Sequence, residues 1–174
     1  GIIENHVGFM KVPMAIVGPM ILNGTYAKGE FCVPICTLEG TLAMSMNRGM
    51  LASALCGGTK VRHFRQELSR APVFIFDNLD ESAKFQTWIN ENVQKIKKVA
   101  ESTTRHGQVL RIDQYTVQNY VVLDIVLDTG NAAGQNMVTL AAKIACEFIQ
   151  KETGHNYFLE SNINSDKKAS VRNM

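Results

Sequence analysis

Hydrophobic residues recur at helical spacing in three stretches of the chain, and each stretch predicts an amphipathic helix. The clearest spans residues 80–102, where charged and amide residues surround one apolar stripe. The stripe consists of Phe85, Trp88, Ile89, Val93, Ile96 and Val99. A second helix is predicted from the N-cap Thr37 to Leu55, with Glu39 in its first turn, and a third over residues 130–150. In each case the apolar face indicates a side that packs against a core.

Shorter apolar stretches bounded by turn residues predict strands. They are residues 31–36, 73–76, 109–112, 120–127 and 155–163. The dipeptide Asn23-Gly24 predicts a tight turn, and Gln114 with Gln118-Asn119 marks a turn between the third and fourth strands, which can pair antiparallel. The chain has no G-x-G-x-x-G pattern, so nothing in it indicates a Rossmann unit.

Composition narrows the class of protein. The 174 residues can form one ordinary domain or two small ones. A hydrophobic content of 45% with 20% charged residues is typical of a soluble globular protein, and a net charge of +2 argues against a nucleic-acid partner. The chain has no apolar run of membrane-spanning length, and its first residues lack the pattern of a signal peptide. We therefore expect a cytoplasmic protein, and any membrane anchor would lie outside this chain.

The spacing of cysteines and histidines gives no metal site. No two cysteines form a C-x-x-C pair, and none lies beside a histidine at a zinc-binding spacing. The residues concerned are Cys32, Cys36, Cys56 and Cys146, with His6, His63, His106 and His155. We predict no metal and interpret the thiols as buried, free and reduced.

Seven short segments carry a more specific signal. They are ENHVG (residues 4–8), VPMAIVGPM (12–20), TLEGTLAMSMNRG (37–49), SRAP (69–72), ESTTR (101–105), TGNAAGQNM (129–137) and SDKK (165–168). In order and spacing they resemble the 3-hydroxy-3-methylglutaryl-CoA (HMG-CoA) reductases, and together they run through nearly the whole chain. The resemblance implies an NADPH-dependent four-electron reduction of HMG-CoA to mevalonate and CoA, in isoprenoid precursor synthesis. NADH is the alternative cofactor.

The resemblance implies chemical roles for several polar residues whose positions can also be explained by ordinary structural roles. On residue type alone, Glu39 is an acid favoured by the start of a helix, and nothing more. In the family the matching residue is the catalytic acid that protonates the substrate carbonyl oxygen. Ser45, Asn47 and Arg48 match residues on the coenzyme A side. Arg70, ordinarily an exposed charge at a strand entrance, would bind the free carboxylate of the HMG group.

The glycine- and alanine-rich segment after Thr129 would bind the cofactor. By physics alone, a helix start built from small residues is more often a packing device than an anion site. The resemblance implies contacts to the dinucleotide from Asn131, Ala133, Gly134, Asn136 and Met137, with Thr104 and Arg105 near the adenosine phosphate. This sequence departs from the family pattern, because Asn131 replaces an Asp while Ala133 and Gln135 replace methionines. The departures leave the preference between NADPH and NADH open.

The segment near residue 165 would complete the substrate side. Adjacent lysines after an aspartate are ordinarily a solvated loop, whereas the resemblance makes Lys167 the cation that stabilises the developing oxyanion. Asp166 and Lys168 match its neighbours at the substrate. Glu160 stands where the family has a serine that contacts the HMG carboxylate, so it would repel that group unless it points away or Ser161 substitutes.

The resemblance also implies an α+β fold with two domains. A large substrate domain built around the helix that begins near Thr37 would comprise residues 1–71 and 159–174. Inserted in it, residues 72–158 would form a small ferredoxin-like cofactor domain with an antiparallel sheet, not a Rossmann domain. The family's active sites lie between subunits, so a homo-oligomer is expected.

Three functional classes stay open at this point. The first is an active reductase of which this chain is a part, since the family's catalytic Asp and His would both lie beyond Met174. The second is a noncatalytic acyl-CoA- or dinucleotide-binding homologue, which Asn131 and Glu160 favour. The third is a structural or assembly domain, which Glu39, Arg70 and Lys167 argue against.

Overall fold

A computed structural model describes residues 3–164, and the chain divides into two compact units, residues 1–64 and 65–174. Within the described residues, unit 1 contains a three-stranded sheet and one helix, and unit 2 contains a five-stranded sheet and two helices. The fold is therefore α+β, as expected. The division between Phe64 and Arg65 describes compactness alone, so the assignment of residues 1–71, 72–158 and 159–174 to functional domains stays a prediction.

Unit 1 is built on a β-hairpin. Strands β1 (Met14–Asn23) and β2 (Lys28–Cys36) pair antiparallel, and β3 (Thr59–Lys60) adds to the end of β1 in parallel. The backbone N–H of Gly24 donates to the carbonyl oxygen of Ala27 at 2.8 Å and closes the hairpin loop. The turn predicted from Asn23-Gly24 is therefore confirmed.

Helix α1 (Leu42–Leu55) begins five residues later than Thr37, the predicted N-cap. The Thr37 hydroxyl accepts a hydrogen bond from the backbone N–H of Glu39 at 3.0 Å, which forms a local turn instead of the first turn of a helix. Thr41 then adopts a left-handed conformation (φ 65°) immediately before the helix. The placement of Glu39 in the first helical turn was wrong, whereas the predicted end at Leu55 is confirmed.

The predicted burial of one face of α1 is also wrong for the described residues. None of the fourteen residues of α1 is fully buried, and Met44, Leu51 and Leu55 are exposed. The helix packs against β1 on one side, and within residues 3–64 only Val17 is buried in the strict sense. A single helix on a narrow sheet cannot enclose a core.

Unit 2 has an antiparallel sheet centred on β7 (Tyr120–Asp128). On one edge of β7 lie β4 (Leu68–Arg70) and β5 (Val73–Ile75) in succession, and β8 (Tyr157–Phe158) pairs with β5. On the other edge β6 (Gln108–Val117) pairs with the whole of β7. The strand order is therefore β6-β7-β5-β8, and β4 pairs with the other end of the same edge of β7.

Two strand predictions need correction. Gln114 lies inside β6 opposite Leu123, not in a turn, and Gln118 and Asn119 alone connect β6 to β7. The strand predicted over residues 155–163 reduces to the two residues of β8. On an edge strand, polar residues can face solvent while the backbone stays paired. The hydrophobic pattern therefore predicts an end at residue 112, whereas β6 continues to Val117.

Two antiparallel helices cover one face of this sheet. Helix α2 (Leu79–Glu101) starts within one residue of its predicted position, capped by Asn78, whose side chain accepts from the Glu81 N–H at 2.9 Å. Helix α3 (Gln135–Thr153) starts five residues later and ends three residues later than the predicted range 130–150, and Gly154 is its C-cap. The core between sheet and helices includes Phe74, Phe85, Ile89, Ile96, Leu123, Ile125, Leu127, Ala141, Ala145 and Ile149.

The cysteines are free, but most are not buried. Cys32, Cys36 and Cys56 are exposed, which contradicts the predicted burial, and Cys146 alone is buried among the four. Burial raises the pKa of the Cys146 thiol above its usual value.

In the described part of the chain, no group of three or more His, Cys, Asp or Glu side chains is arranged to hold a metal ion. None of the described helices has the length and apolar character needed to cross a membrane.

Candidate functional site

The segment between β7 and α3 is a tight loop. The sequence pattern predicts the first turn of a helix here, and that prediction is wrong. The Asp128 carboxylate accepts from the Gly130 N–H at 2.8 Å, and the Thr129 hydroxyl donates to the Ala132 carbonyl at 2.8 Å. At Gly134 φ is +79°, and a Cβ atom there would lie 2.4 Å from Cγ2 of Thr129. Only glycine fits at this position without displacing the loop.

The loop leads directly into the N-terminus of α3. Gly134 is the N-cap residue and supplies no side-chain oxygen, and the first turn carries no acidic residue. Asn131, Ala133 and Asn136 are exposed beside it, and Met137 is half-buried. Backbone N–H groups and the positive end of the helix dipole make such a terminus compatible with a phosphate group.

The turn after α2 lies against this same end of α3. The Thr104 hydroxyl accepts from the backbone N–H groups of His106 and Gly107, both at 3.1 Å. A Cβ added to Gly107 would lie 2.9 Å from both Sδ of Met137 and Cγ2 of Thr104. Thr104 and Met137, two residues that the sequence assigns to the cofactor, therefore both lie against Gly107. Arg105 is exposed on the same turn.

Arg70 is not an exposed strand-entrance charge. It lies in β4 with only 9% of its surface exposed, and its Nε donates to the hydroxyl of Thr139 on α3 at 2.8 Å. That hydroxyl in turn donates to the carbonyl oxygen of Gln135, the first residue of α3, at 2.8 Å. Arg70 and the proposed cofactor-binding turn are therefore joined through one side chain, which sequence reasoning missed.

The segment before Arg70 is also tied to this region. The Gln66 side-chain amide donates to the carbonyl of Gly130 in the loop. Glu67 accepts two hydrogen bonds from Arg111 at 2.8 and 2.9 Å, and Arg111 also donates to Asp113 at 2.8 Å. These acceptors raise the pKa of Arg111 above its usual value. Apart from the position of Gln66 and Glu67 just before the SRAP segment, the sequence marks none of these contacts.

Four predicted site residues lie in unit 1. Glu39, Ser45, Asn47 and Arg48 are all exposed within residues 3–64. The Asn47 side-chain oxygen accepts from the backbone N–H of Gly18 at 2.8 Å, so this residue also ties α1 to β1. The assigned roles of these four residues stay predictions.

The final predicted stretch is described only in part. Glu160 is exposed and accepts from the buried Asn164 side-chain amide at 2.9 Å. The Ser161 hydroxyl accepts from the Ile163 N–H at 3.4 Å. The predicted oxyanion-stabilising Lys167 and its neighbours Asp166 and Lys168 lie outside the described residues.

Comparisons with known proteins bear on the whole chain. The hydroxymethylglutaryl-coenzyme A reductase family pattern matches residues 1–174. The chain is 42% identical over 151 residues to the 3-hydroxy-3-methylglutaryl-coenzyme A reductase of Methanocaldococcus jannaschii, covering 86% of this chain and 37% of that protein. It is 39% identical over 174 residues to that of Methanothermobacter thermautotrophicus, covering 99% of this chain and 44% of that protein. The chain therefore spans less than half the length of these relatives.

The fold agrees with these sequence matches. The structure of the class II 3-hydroxy-3-methylglutaryl-CoA reductase from Streptococcus pneumoniae, bound to NADPH in open conformations, superposes with a TM-score of 0.72. The match covers 94% of this chain and 45% of that protein at 18% sequence identity. Because the family pattern, the close relatives and the fold all agree, the chain belongs to the hydroxymethylglutaryl-coenzyme A reductase family.

Proposed function

We propose that this chain is part of an HMG-CoA reductase, which reduces HMG-CoA to mevalonate and CoA at the expense of two NADPH. The observation that carries the proposal is the meeting of three predicted site segments at one end of α3. The loop after Thr129 leads into this end, the Thr104 turn contacts Met137, and Arg70 is joined to it through Thr139. The sequence alone assigns each of these segments to the cofactor or the substrate.

The residues present fit a dinucleotide. Gly134 leaves the first turn of α3 without a capping side chain, and exposed Asn131, Ala133 and Asn136 border the same terminus. In the proposal these residues and Met137 contact the dinucleotide, whose role is to supply hydride. Thr104 and exposed Arg105 bind the adenosine phosphate, and the guanidinium favours NADPH over NADH. The streptococcal relative is known with NADPH bound, which supports this choice.

Six residues are proposed to bind the substrate. Arg70 pairs with the free carboxylate of the HMG group, and Ser45, Asn47 and Arg48 line the coenzyme A side. Glu39 donates a proton to the carbonyl oxygen as hydride reaches the carbon. Lys167, with Asp166 and Lys168 beside it, stabilises the negative charge that develops on that oxygen. The same polarisation serves both the thioester and the aldehyde steps.

The domain roles follow the same proposal. Residues 1–71 and 159–174 belong to the substrate domain around α1, and residues 72–158 form the ferredoxin-like cofactor domain. The observed succession of β5, α2, β6, β7, α3 and β8, with antiparallel pairing throughout, supports the second assignment. Exposed apolar side chains on α1 support a homo-oligomer that covers them. We propose a cytoplasmic location for this catalytic part.

The decisive experiment uses the protein from the full reading frame. NADPH absorbance is followed with and without HMG-CoA, and CoA binding is measured in parallel. Oxidation that depends on HMG-CoA and yields mevalonate supports the reductase. A folded protein that binds CoA but oxidises no NADPH would instead be the noncatalytic homologue that Asn131 and Glu160 favour. A folded protein that binds neither ligand would be a structural domain.

A further inference from the structure

The hydroxyl of Thr139 lies between one group that can only donate a hydrogen bond and one that can only accept one. A guanidinium N–H can only donate and a backbone carbonyl can only accept. The Thr139 hydroxyl therefore accepts from Nε of Arg70 and gives its own hydrogen to the carbonyl of Gln135, both at 2.8 Å. The directions of both bonds follow from the chemistry of the partners, so the lone pair of the hydroxyl oxygen is aimed at Arg70.

This bridge restricts what Arg70 can do. Arginine pairs with a carboxylate bidentately through either Nε and one terminal nitrogen or through the two terminal nitrogens. With Nε held by Thr139, the Nε edge of the guanidinium is engaged, and the orientation of the guanidinium plane relative to α3 is set by this bond. Because Arg70 is 9% exposed, its guanidinium also depends on protein groups for its hydrogen bonds.

We propose that Thr139 is a positioning residue for substrate binding: it orients the Arg70 guanidinium for its contact with the HMG carboxylate. The inference rests on the proposed function, in which Arg70 binds that carboxylate. The anchor for the hydroxyl is the first turn of α3, so the orientation of Arg70 is fixed by the same turn that borders the cofactor. Thr139 thereby contributes to the discrimination between HMG-CoA and acyl-CoA molecules without a terminal carboxylate.

The test compares two ligands that differ in the HMG group. The dissociation constants of HMG-CoA and of CoA alone are measured by calorimetry for the full-length wild type and its variants. Thr139→Val keeps the shape and removes both bonds, whereas Thr139→Ser keeps the hydroxyl. Thr153→Val is the matched control, since the Thr153 hydroxyl makes the same bond to the carbonyl four residues earlier (Ile149, 2.8 Å) at the other end of α3.

We expect Thr139→Val to weaken HMG-CoA binding roughly tenfold, the scale of one hydrogen bond to a charged group. Binding of CoA should not change, and Thr139→Ser and Thr153→Val should bind HMG-CoA like the wild type. Kinetically, Thr139→Val should raise KM for HMG-CoA and leave KM for NADPH unchanged. Thr139→Ala is measured in parallel and judged by the same criterion, in case the valine variant does not fold.

Three results would overturn the inference: unchanged HMG-CoA binding in Thr139→Val, equal weakening of HMG-CoA and CoA, or a serine variant as weak as the valine variant. Failure of the proposed function has a different signature. In that case the wild type itself oxidises no NADPH with HMG-CoA, while the binding comparison can still show a selective loss of HMG-CoA.

Discussion

Substitution of Gly134 tests the geometry of the loop before α3, because a side chain there would cause a steric clash with the loop in addition to backbone strain. Its φ of +79° lies in the left-handed region, where a side chain costs about 1–2 kcal/mol. A methyl group at this position would also lie 2.4 Å from Cγ2 and 2.6 Å from Cβ of Thr129. Carbon atoms in contact settle at about 3.5–4.0 Å, so Gly134→Ala must move Thr129 and its loop by roughly 1 Å.

Both effects lower the free energy of unfolding, and the displacement also changes the cofactor site. Overpacking of this kind costs about 1–3 kcal/mol in addition to the backbone term. A loop shift of roughly 1 Å takes a 2.9 Å hydrogen bond beyond the range of a real one. Loss of one such bond to the dinucleotide weakens NADPH binding, by about tenfold for each 1.4 kcal/mol of binding free energy that is lost.

The control lies at the other end of the same helix. Gly154 has φ of +77°, and a Cβ there would meet no described atom within 4 Å, so Gly154→Ala carries the backbone strain alone. Denaturant unfolding and NADPH titration of the two full-length variants against wild type give the comparison. We expect Gly134→Ala to lose about 1–3 kcal/mol more than Gly154→Ala, and only Gly134→Ala to weaken NADPH binding. Equal destabilisation, or NADPH affinity unchanged in Gly134→Ala, would refute the reasoning.

Three further predictions concern charged and thiol side chains. Arg105→Ala should raise KM for NADPH by roughly tenfold or more and leave KM for NADH nearly unchanged, since a charge-assisted phosphate contact is lost; equal effects on both cofactors would contradict this role. Arg111→Lys keeps the charge but loses the fork to Glu67, and because both side chains are partly exposed it should lower the free energy of unfolding by less than about 1 kcal/mol; urea midpoints give the value. Burial raises the pKa of Cys146, so its stabilisation is complete below the usual thiol pKa of about 8.5 and falls as pH rises above it. The stability difference between wild type and Cys146→Ala should therefore shrink above that pH, and a constant difference would exclude the linkage.

The sequence was most informative where one face of an element is buried. Helix α2 was predicted within one residue because Phe85, Ile89 and Ile96 form a strict helical stripe that packs into the core. β7 was equally clear, since its residues Val121 to Leu127 are buried without interruption. In both cases hydrophobic burial, which the sequence records directly, decides the structure.

The errors occur where local hydrogen bonds compete with helix formation. Thr37 and Thr129 are good candidates for the start of a helix, but each uses its hydroxyl in a turn outside the helix that follows. Left-handed residues at Thr41 and Gly134 then set the true starts of α1 and α3. Such turns depend on a few specific bonds and leave no periodic pattern in the sequence.

The sequence identifies some residues of the candidate site and misses others. Resemblance to the reductases assigned Arg70, Thr104 and Met137 to the predicted site, and the structure places all three near one end of α3. Thr139 and Gln66 were missed because their partners, Arg70 and Gly130, lie more than sixty residues away along the chain. A single sequence carries no signal for contacts of this kind, since neither residue type is unusual in its segment.

The most direct test of the reductase proposal is the stoichiometry of NADPH oxidation by the full-length protein. With limiting HMG-CoA, we predict that two NADPH are oxidised and one mevalonate is formed for each HMG-CoA consumed, and that Glu39→Gln abolishes this turnover while HMG-CoA still binds. A folded wild-type protein that binds HMG-CoA and NADPH but shows no substrate-dependent oxidation would contradict the account.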